Sequence, residues 1–207
     1  GEGLAVLAAV ALLNQAYALF VSAARGLGGE SWIADLLVEA TNCIGANGMI
    51  GGQVIDLESN ATAMNHDLLT HRHAKTIALM RLMMTCNALA TGASSDDCAA
   101  RSGYGECLGA TYQICDDLLD ELAESSLTGK TPGQDSRHWR PSASAQLGHH
   151  DAYRGAVAQL EKGKSLLVSR FGNGQEVRLL CEIGDLVTSG VEDLAISSDA
   201  PVALSMG

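Results

Sequence analysis

The chain has 207 residues, of which 47% are hydrophobic and only 4% aromatic, and its formal net charge is −11. This length predicts a single domain over residues 1–207. The negative charge argues against a nucleic-acid partner, which requires a basic surface, and the scarcity of aromatic residues disfavours a β-sandwich. Six cysteines without CxxC spacing lie mostly in apolar contexts. They indicate reduced core residues of a cytoplasmic protein.

The hydrophobic pattern is helical along most of the chain, and no strand-length run alternates apolar and polar residues. These features predict an all-α fold. The predicted helices cover residues 3–25, 30–57, 63–91, 95–122, 142–170 and 174–190. Residues 123–141 are predicted to form one long loop, which in a compact helical domain is usually functional. Residues 191–207 are expected to pack loosely.

The first predicted helix has no charged side chain between residues 3 and 24. Its length would suit a membrane span. However, Asn14 and Gln15 interrupt its middle, and no lysine or arginine precedes it as in a signal peptide. We therefore predict a buried core helix and no stable membrane insertion.

Glycines cluster in Gly45–Gly52, which superficially suggests a dinucleotide-binding loop. No strand precedes this segment, so that interpretation fails, and close helix packing is the better prediction. Gln53 and Asp56 follow at positions i and i+3 of a helix. They could face a polar cavity or cap the end of the helix, and the spacing leaves both open.

Two other short motifs are set aside. Gly129–Thr131 resembles the end of a Walker A loop, but Glu124 stands where that loop requires glycine. The dipeptides His66-Asp67 and His150-Asp151 suggest the metal-binding pairs of HD-type phosphohydrolases. A His-Asp dipeptide is common by chance, so we do not favour that class.

Three aspartates in five positions are the most informative feature of the sequence. Asp116 and Asp120 are one helical turn apart and share a face, with Asp117 about 100° around the helix from Asp116. Such a cluster is either a solvated acidic face or a site for a hard cation such as Mg²⁺. Carboxylates that bind Mg²⁺ often do so together with the phosphates of a substrate.

Cationic residues elsewhere favour a phosphate-containing substrate. Lys75-Thr76 could offer an ammonium and a hydroxyl group to a phosphate, although a solvated helix start is the simpler interpretation of the pair alone. Lys130, Arg137 and Arg140 follow the aspartates in the long loop. Cations beside an acidic metal site make sense when a diphosphate lies between them.

Together these motifs resemble the trans-isoprenyl diphosphate synthases, or polyprenyl synthetases, over roughly residues 1–170. Five blocks match in order: Leu4–Leu13, Gly48–Leu57, His73–Thr76, Tyr112–Asp120 and Gly129–Asp135. The resemblance implies an all-α isoprenoid synthase-type bundle around a central cavity, usually a homodimer. It also implies condensation of isopentenyl diphosphate with an allylic diphosphate, giving a C15–C20 prenyl diphosphate.

The resemblance also assigns roles by position. Asp116, Asp117 and Asp120 would bind Mg²⁺, and Lys75 and Asp116 would be catalytic. The residues expected to hold the substrates are Gln53, Lys75, Thr76, Gln113, Lys130 and Arg140. Arg140 stands where the family usually has a lysine, which keeps the charge but changes its geometry.

One expected motif is absent, because the first aspartate-rich motif of the family should precede residue 1. The domain is therefore expected to be N-terminally incomplete, and this chain alone to be inactive. Two alternatives stay open. One is a non-catalytic regulatory subunit of a heteromeric synthase. The other is a class I terpene cyclase, which usually carries a different second metal motif.

Overall fold

All regular structure in the described part of the chain is helical, which confirms the all-α prediction. The computed structural model describes residues 1–26, 32–58, 66–122 and 147–198. Its helices are α1 (Glu2–Gly26), α2 (Ile33–Ile44), α3 (Met49–Glu58), α4 (His66–Ala90), α5 (Ser95–Leu122), α6 (His149–Phe171), α7 (Gln175–Ser189) and α8 (Glu192–Ser198). The predicted loop at 123–141 lies outside the described residues.

The prediction of one helix over 30–57 is wrong, because the chain turns sharply between α2 and α3. A Cβ atom added to Gly48 would lie 2.0 Å from the carbonyl oxygen of Cys43. One added to Gly51 would lie 1.8 Å from the carbonyl oxygen of Ala46. The glycines thus allow a close backbone approach within this turn, rather than the packing of two separate helices.

Helix α5 begins and ends where the sequence predicts, and a capping box explains its start. The backbone N–H of Asp97 donates to Ser94 Oγ (3.2 Å), and the N–H of Ser94 donates to a carboxylate oxygen of Asp97 (3.3 Å). Each side chain therefore satisfies a backbone donor that the first turn leaves without a helical partner. The acidic Asp97 also lies favourably at the positive end of the helix dipole.

Two glycines bring α5 against α4. A Cβ atom added to Gly105 would lie 2.8 Å from the carbonyl oxygen of Met80, and one added to Gly109 would lie 2.7 Å from the Cα atom of Ile77. Any larger residue would push the two helices apart. On both helices, this close approach lies within a few positions of the predicted site residues, before Gln113 on α5 and after Thr76 on α4.

Three apolar clusters hold the helices together. The first joins α1, α2 and α4 around Ala40, Cys43 and Leu82. The second joins α5, α6 and α7 around Tyr104, Leu167 and Val177. The third joins α5 and α6 to the end of the chain and includes Cys115, Leu118, Ala152, Ala156 and Val191. Helix α5 contributes to two of the three clusters and is the central element of the described structure.

Helix α1 forms as predicted, but the prediction that it is a buried core helix is wrong. One stripe of α1, comprising Leu13, Tyr17 and Phe20, packs on the cluster with α2 and α4. Ala24 is also buried, but most of the other apolar side chains face outward, with Leu4 73% and Leu12 71% exposed. Among the described helices, α1 alone is long and apolar enough to cross a membrane, judged by length and composition.

The end of the chain is better packed than expected. Val191 and Ala195 are fully buried, and α8 packs against α6. The prediction of loose packing is therefore wrong for the start of the 191–207 segment, because two small apolar side chains fit into the core there. Residues 199–207 lie outside the described residues.

All six cysteines are free, as predicted, and Cys43, Cys107 and Cys115 are buried. Burial is the largest cause of a raised pKa at each thiol. It brings the pKa of Cys43 to about 11 and that of Cys115 to about 12. The thiols of Cys43 and Cys115 therefore remain protonated and unreactive near neutral pH.

Candidate active site

A chain of hydrogen bonds links the predicted residues of α4 and α5. Thr76 Oγ1 donates to Gln113 Oε1 (2.9 Å), and Gln113 Nε2 donates to Asp117 Oδ1 (3.4 Å). Gln113 is 7% exposed and Asp117 only 2%. Because the amide oxygen accepts while the amide nitrogen donates, contacts at both ends fix the orientation of the Gln113 side chain.

Helix α3 contacts the same region through Gln53, which is hydrogen-bonded to Lys75 of α4. The Nζ atom of Lys75 donates to Gln53 Oε1 at 3.3 Å, on the more exposed side of α4. Four of the predicted substrate-binding residues therefore lie in one row across α3, α4 and α5: Gln53, Lys75, Thr76 and Gln113. Of the two interpretations of Gln53, the structure favours the one in which it faces a polar site. The side chain of Asp56 lies outside the described residues.

The three aspartates differ in their surroundings. Asp117 is buried on the side of Gln113, whereas Asp116 is half-buried and lines a cleft of about 340 Å³ between α5 and α7. Asp120 is also half-buried, one turn beyond Asp116. The negative charge of Asp116 contributes, after burial, to the raised pKa of the neighbouring Cys115 thiol.

The fit of these residues to a metal is partial. Carboxylate oxygens are the hard donors that Mg²⁺ prefers, and Asp116 and Asp120 lie one turn apart on α5. Within the described ranges, no group of three or more His, Cys, Asp or Glu side chains is close enough to hold a metal ion. The roles of Asp116, Asp117 and Asp120 as metal ligands therefore stay a prediction. Lys130 and Arg140 lie outside the described residues.

An apolar surface beside Lys75 was not predicted from the sequence. Leu79 and Met83 follow Lys75 at four-residue intervals on α4, and they are 44% and 52% exposed. On α3, Ile50 and Val54 are also about half exposed. The spacing of Lys75, Leu79 and Met83 was the available signal, because residues four apart share one face of a helix.

A hydrogen bond at the far end of α5 was also not predicted from the sequence. His149 Nε2 lies 3.2 Å from Glu121 Oε2, and both side chains are half-buried. This contact ties the end of α5 to the start of α6, on either side of residues 123–146. No spacing signal could have paired these two residues, because they are 28 positions apart in the sequence.

The described residues form an isoprenoid synthase-type helical bundle, in which a lysine–threonine pair on α4 is hydrogen-bonded to the QxxDD motif on α5. The family model of the polyprenyl synthetases matches residues 1–166, and the chain belongs to this family. The family that the sequence motifs suggested is thereby confirmed.

Individual relatives agree with this assignment. The chain is 34% identical over 171 residues to the dimethylallyltranstransferase of Fischerella ambigua (strain UTEX 1903). The alignment covers 81% of this chain and 49% of that protein. It is 35% identical over 138 residues to the chloroplastic geranylgeranyl pyrophosphate synthase of Catharanthus roseus, covering 65% of this chain and 38% of that one. The chain thus spans half or less of the length of these relatives.

A solved structure shares the fold. The geranyltransferase of Helicobacter pylori, in complex with magnesium and isoprenyl diphosphate, superposes with a TM-score of 0.71. The match covers 91% of this chain and 60% of that one at 24% sequence identity. At this level of identity the similarity establishes the helical-bundle architecture alone.

Proposed function

We propose that the protein is a prenyltransferase that condenses isopentenyl diphosphate with an allylic diphosphate to form a C15–C20 prenyl diphosphate. The observation that carries the proposal is the row formed by Gln53, Lys75, Thr76 and Gln113, which is hydrogen-bonded to Asp117 of α5. Membership of the polyprenyl synthetase family supports it. So does the similarity to a dimethylallyltranstransferase over most of this chain.

The reaction requires groups that favour departure of a diphosphate. The allylic C–O bond breaks, and diphosphate leaves with the bonding electron pair. The double bond of isopentenyl diphosphate then attacks the allylic carbocation, and loss of a proton restores a double bond. Lys75 would bind the diphosphate oxygens, where its charge stabilises a leaving group that gains negative charge. Gln53 would hold the Lys75 ammonium group in position.

The buried network would position the carboxylates. Gln113 holds Asp117 toward α4, while Asp116 and Asp120 are the less buried members of the motif. Mg²⁺ held by Asp116 and Asp120 would supply positive charge to neutralise the diphosphate. Lys130 and Arg140, which follow α5 in the sequence and lie outside the described residues, would contribute further positive charge.

The apolar surface next to Lys75 suits the hydrocarbon part of the substrate. Met83 lies eight residues beyond Lys75, or about 12 Å along the axis of α4. A prenyl group whose diphosphate is at Lys75 would run along Leu79 and Met83 and remove their exposed surface from water. This combination of a cation and an adjoining apolar row is what an amphipathic diphosphate requires.

We also infer that protein covers the exposed face of α1. A helix that is apolar on all sides is normally buried in a larger core or a membrane. Asn14 and Gln15 in its middle disfavour the membrane. A second copy of the chain in a homodimer, together with further residues of the same protein, would account for this surface in a cytoplasmic enzyme.

The test is turnover by the protein expressed from its complete gene. With Mg²⁺, isopentenyl diphosphate and dimethylallyl diphosphate, it should release diphosphate and form a prenyl diphosphate detectable by mass spectrometry. Lys75→Gln should lower kcat/KM by about 100-fold or more, because it removes a charge that stabilises the transition state. Lys162→Gln removes a lysine exposed on α6 and should behave like the wild-type protein.

Other outcomes would assign other functions. If the protein is inactive alone but alters the rate or product length of an active synthase upon mixing, it is a regulatory subunit. If it converts a prenyl diphosphate to a hydrocarbon without using isopentenyl diphosphate, it is a terpene cyclase. Either result would refute the proposed condensation.

A further inference from the structure

A second cleft lies at the opposite end of α5 from the aspartates. It has a volume of about 420 Å³ and lies among α4, α5, α6 and α7. Its floor is apolar and includes the buried side chains of Leu167 and Val177. Arg101, on its wall, precedes Asp116 by 15 residues, or about 22 Å along the axis of α5. The cleft is therefore separate from the candidate active site.

Arg101 introduces a positive charge into this apolar surface. Its guanidinium carbon lies 5.4 Å from the ring centroid of Phe171, which also lines the cleft. A guanidinium group held over an aromatic face keeps its N–H donors directed outward at the edge. None of the ion pairs formed among the described residues includes Arg101.

Neighbouring arginines are used differently. Arg170 pairs with Asp97 and Asp96, and Arg81 pairs with Glu39 and Glu106. In a protein of net charge −11, carboxylates are plentiful. The position of Arg101 on an aromatic ring, instead of beside a carboxylate, is thus a feature of this cleft.

Among the described residues that line the cleft, one is acidic, and it forms no ion pair with Arg101. Glu176 belongs to the first turn of α7, and its Oε2 atom lies 3.3 Å from where a Cβ atom of Gly174 would be. Its carboxylate is thus folded back over the start of its own helix, where the helix dipole stabilises it. The described lining residues include one further polar side chain, the amide of Asn87, which is exposed.

We propose that this cleft binds a single-chain amphiphile with a small anionic head group. The hydrocarbon chain would cover the floor around Leu167 and Val177, and the head group would accept hydrogen bonds from Arg101. A volume of about 420 Å³ is within the range of small-molecule sites, about 300–1,000 Å³. The proposal stands independently of the reaction at the aspartates, because no residue is shared between the two sites.

The experiment is a calorimetric titration of the protein with decanoate below its micellar concentration, with decan-1-ol as the uncharged comparison. Decanoate should bind saturably at one site and more tightly than decan-1-ol. Arg101→Met keeps much of the apolar stem and removes the charge. It should weaken decanoate binding about tenfold, as expected for one charge-assisted hydrogen bond, and leave decan-1-ol binding unchanged.

Two further variants make the test specific. Arg154→Met removes an exposed arginine of α6 that is remote from the lining residues, and it should bind decanoate like the wild-type protein. Asn87→Trp places a large side chain at the exposed rim and should abolish binding of both probes. The proposal is overturned if decanoate does not saturate, if decan-1-ol binds equally well, or if Arg101→Met and Arg154→Met behave alike. Thermal unfolding of each variant establishes that it is folded.

Discussion

Replacing Gln113 with leucine tests whether the buried network organises the site. The substitution removes the acceptor of the Thr76 hydroxyl and a donor to the buried Asp117 carboxylate. Loss of a partner to a buried polar or charged group costs about 1–3 kcal/mol. The distance of 3.4 Å between Gln113 Nε2 and Asp117 Oδ1 indicates a weak hydrogen bond. We therefore expect Gln113→Leu to lower the free energy of unfolding by about 2 kcal/mol in total.

Urea denaturation followed by circular dichroism measures this free energy of unfolding. At about 2–4 °C per kcal/mol for a protein of this size, the melting temperature should fall by about 4–8 °C. Gln159→Leu is the matched control, since Gln159 is exposed on α6. Thr76→Val and the Gln113→Leu/Thr76→Val double variant complete a double-mutant cycle. The double variant should lose about 1 kcal/mol less free energy of unfolding than the sum of the two single variants, because both remove the same hydrogen bond. Equal stability of Gln113→Leu and Gln159→Leu, or strict additivity in the cycle, would show that the hydrogen bonds of Gln113 do not stabilise the fold.

Three further predictions concern charge, thiols and product length. The hydrogen bond from Arg170 lowers the pKa of Asp97 in the folded protein. The Asp97 carboxylate therefore stabilises the fold fully above about pH 4, the pKa of Asp in an unfolded chain, and this stabilisation is lost as the pH falls through the lower pKa of the folded state. Asp97→Asn should therefore lower the melting temperature at pH 7 and not at the acidic end of a pH series. Iodoacetamide at pH 8 should label Cys181 before Cys115, because Cys115 is buried with a pKa of about 12; mass spectrometry showing the reverse order would contradict this. Met83→Trp should shift the products towards shorter chains in a chromatographic assay, and an unchanged distribution would mean that the substrate does not run along α4.

The features that could be predicted from the sequence are those encoded locally. The boundaries of α5 follow from a capping box between Ser94 and Asp97 and from a continuous helical pattern. The spacing of Gln113 and Asp117 places them on one face of a helix, so their hydrogen bond follows once the helix is known. Family motifs then supplied Lys75 and Thr76, which the fold brings to the same place.

The features that could not be predicted depend on contacts distant in sequence or on backbone geometry. Periodicity identified α1 as an apolar helix, but periodicity does not say which of its faces has a partner. The turn at Gly48 depends on a close approach to a carbonyl oxygen, which composition alone does not reveal. The cleft beside Arg101 combines residues from four helices without any spacing pattern.

We propose that the carboxylates of α5 serve the departure of a diphosphate. The most direct measurement is the rate of diphosphate release by the protein from its complete gene, compared with Asp116→Ala and with Asp151→Ala as control. Asp151 is an exposed residue of α6. We predict a fall of about 100-fold or more for Asp116→Ala and a normal rate for Asp151→Ala. Equal rates for all three proteins would contradict the account.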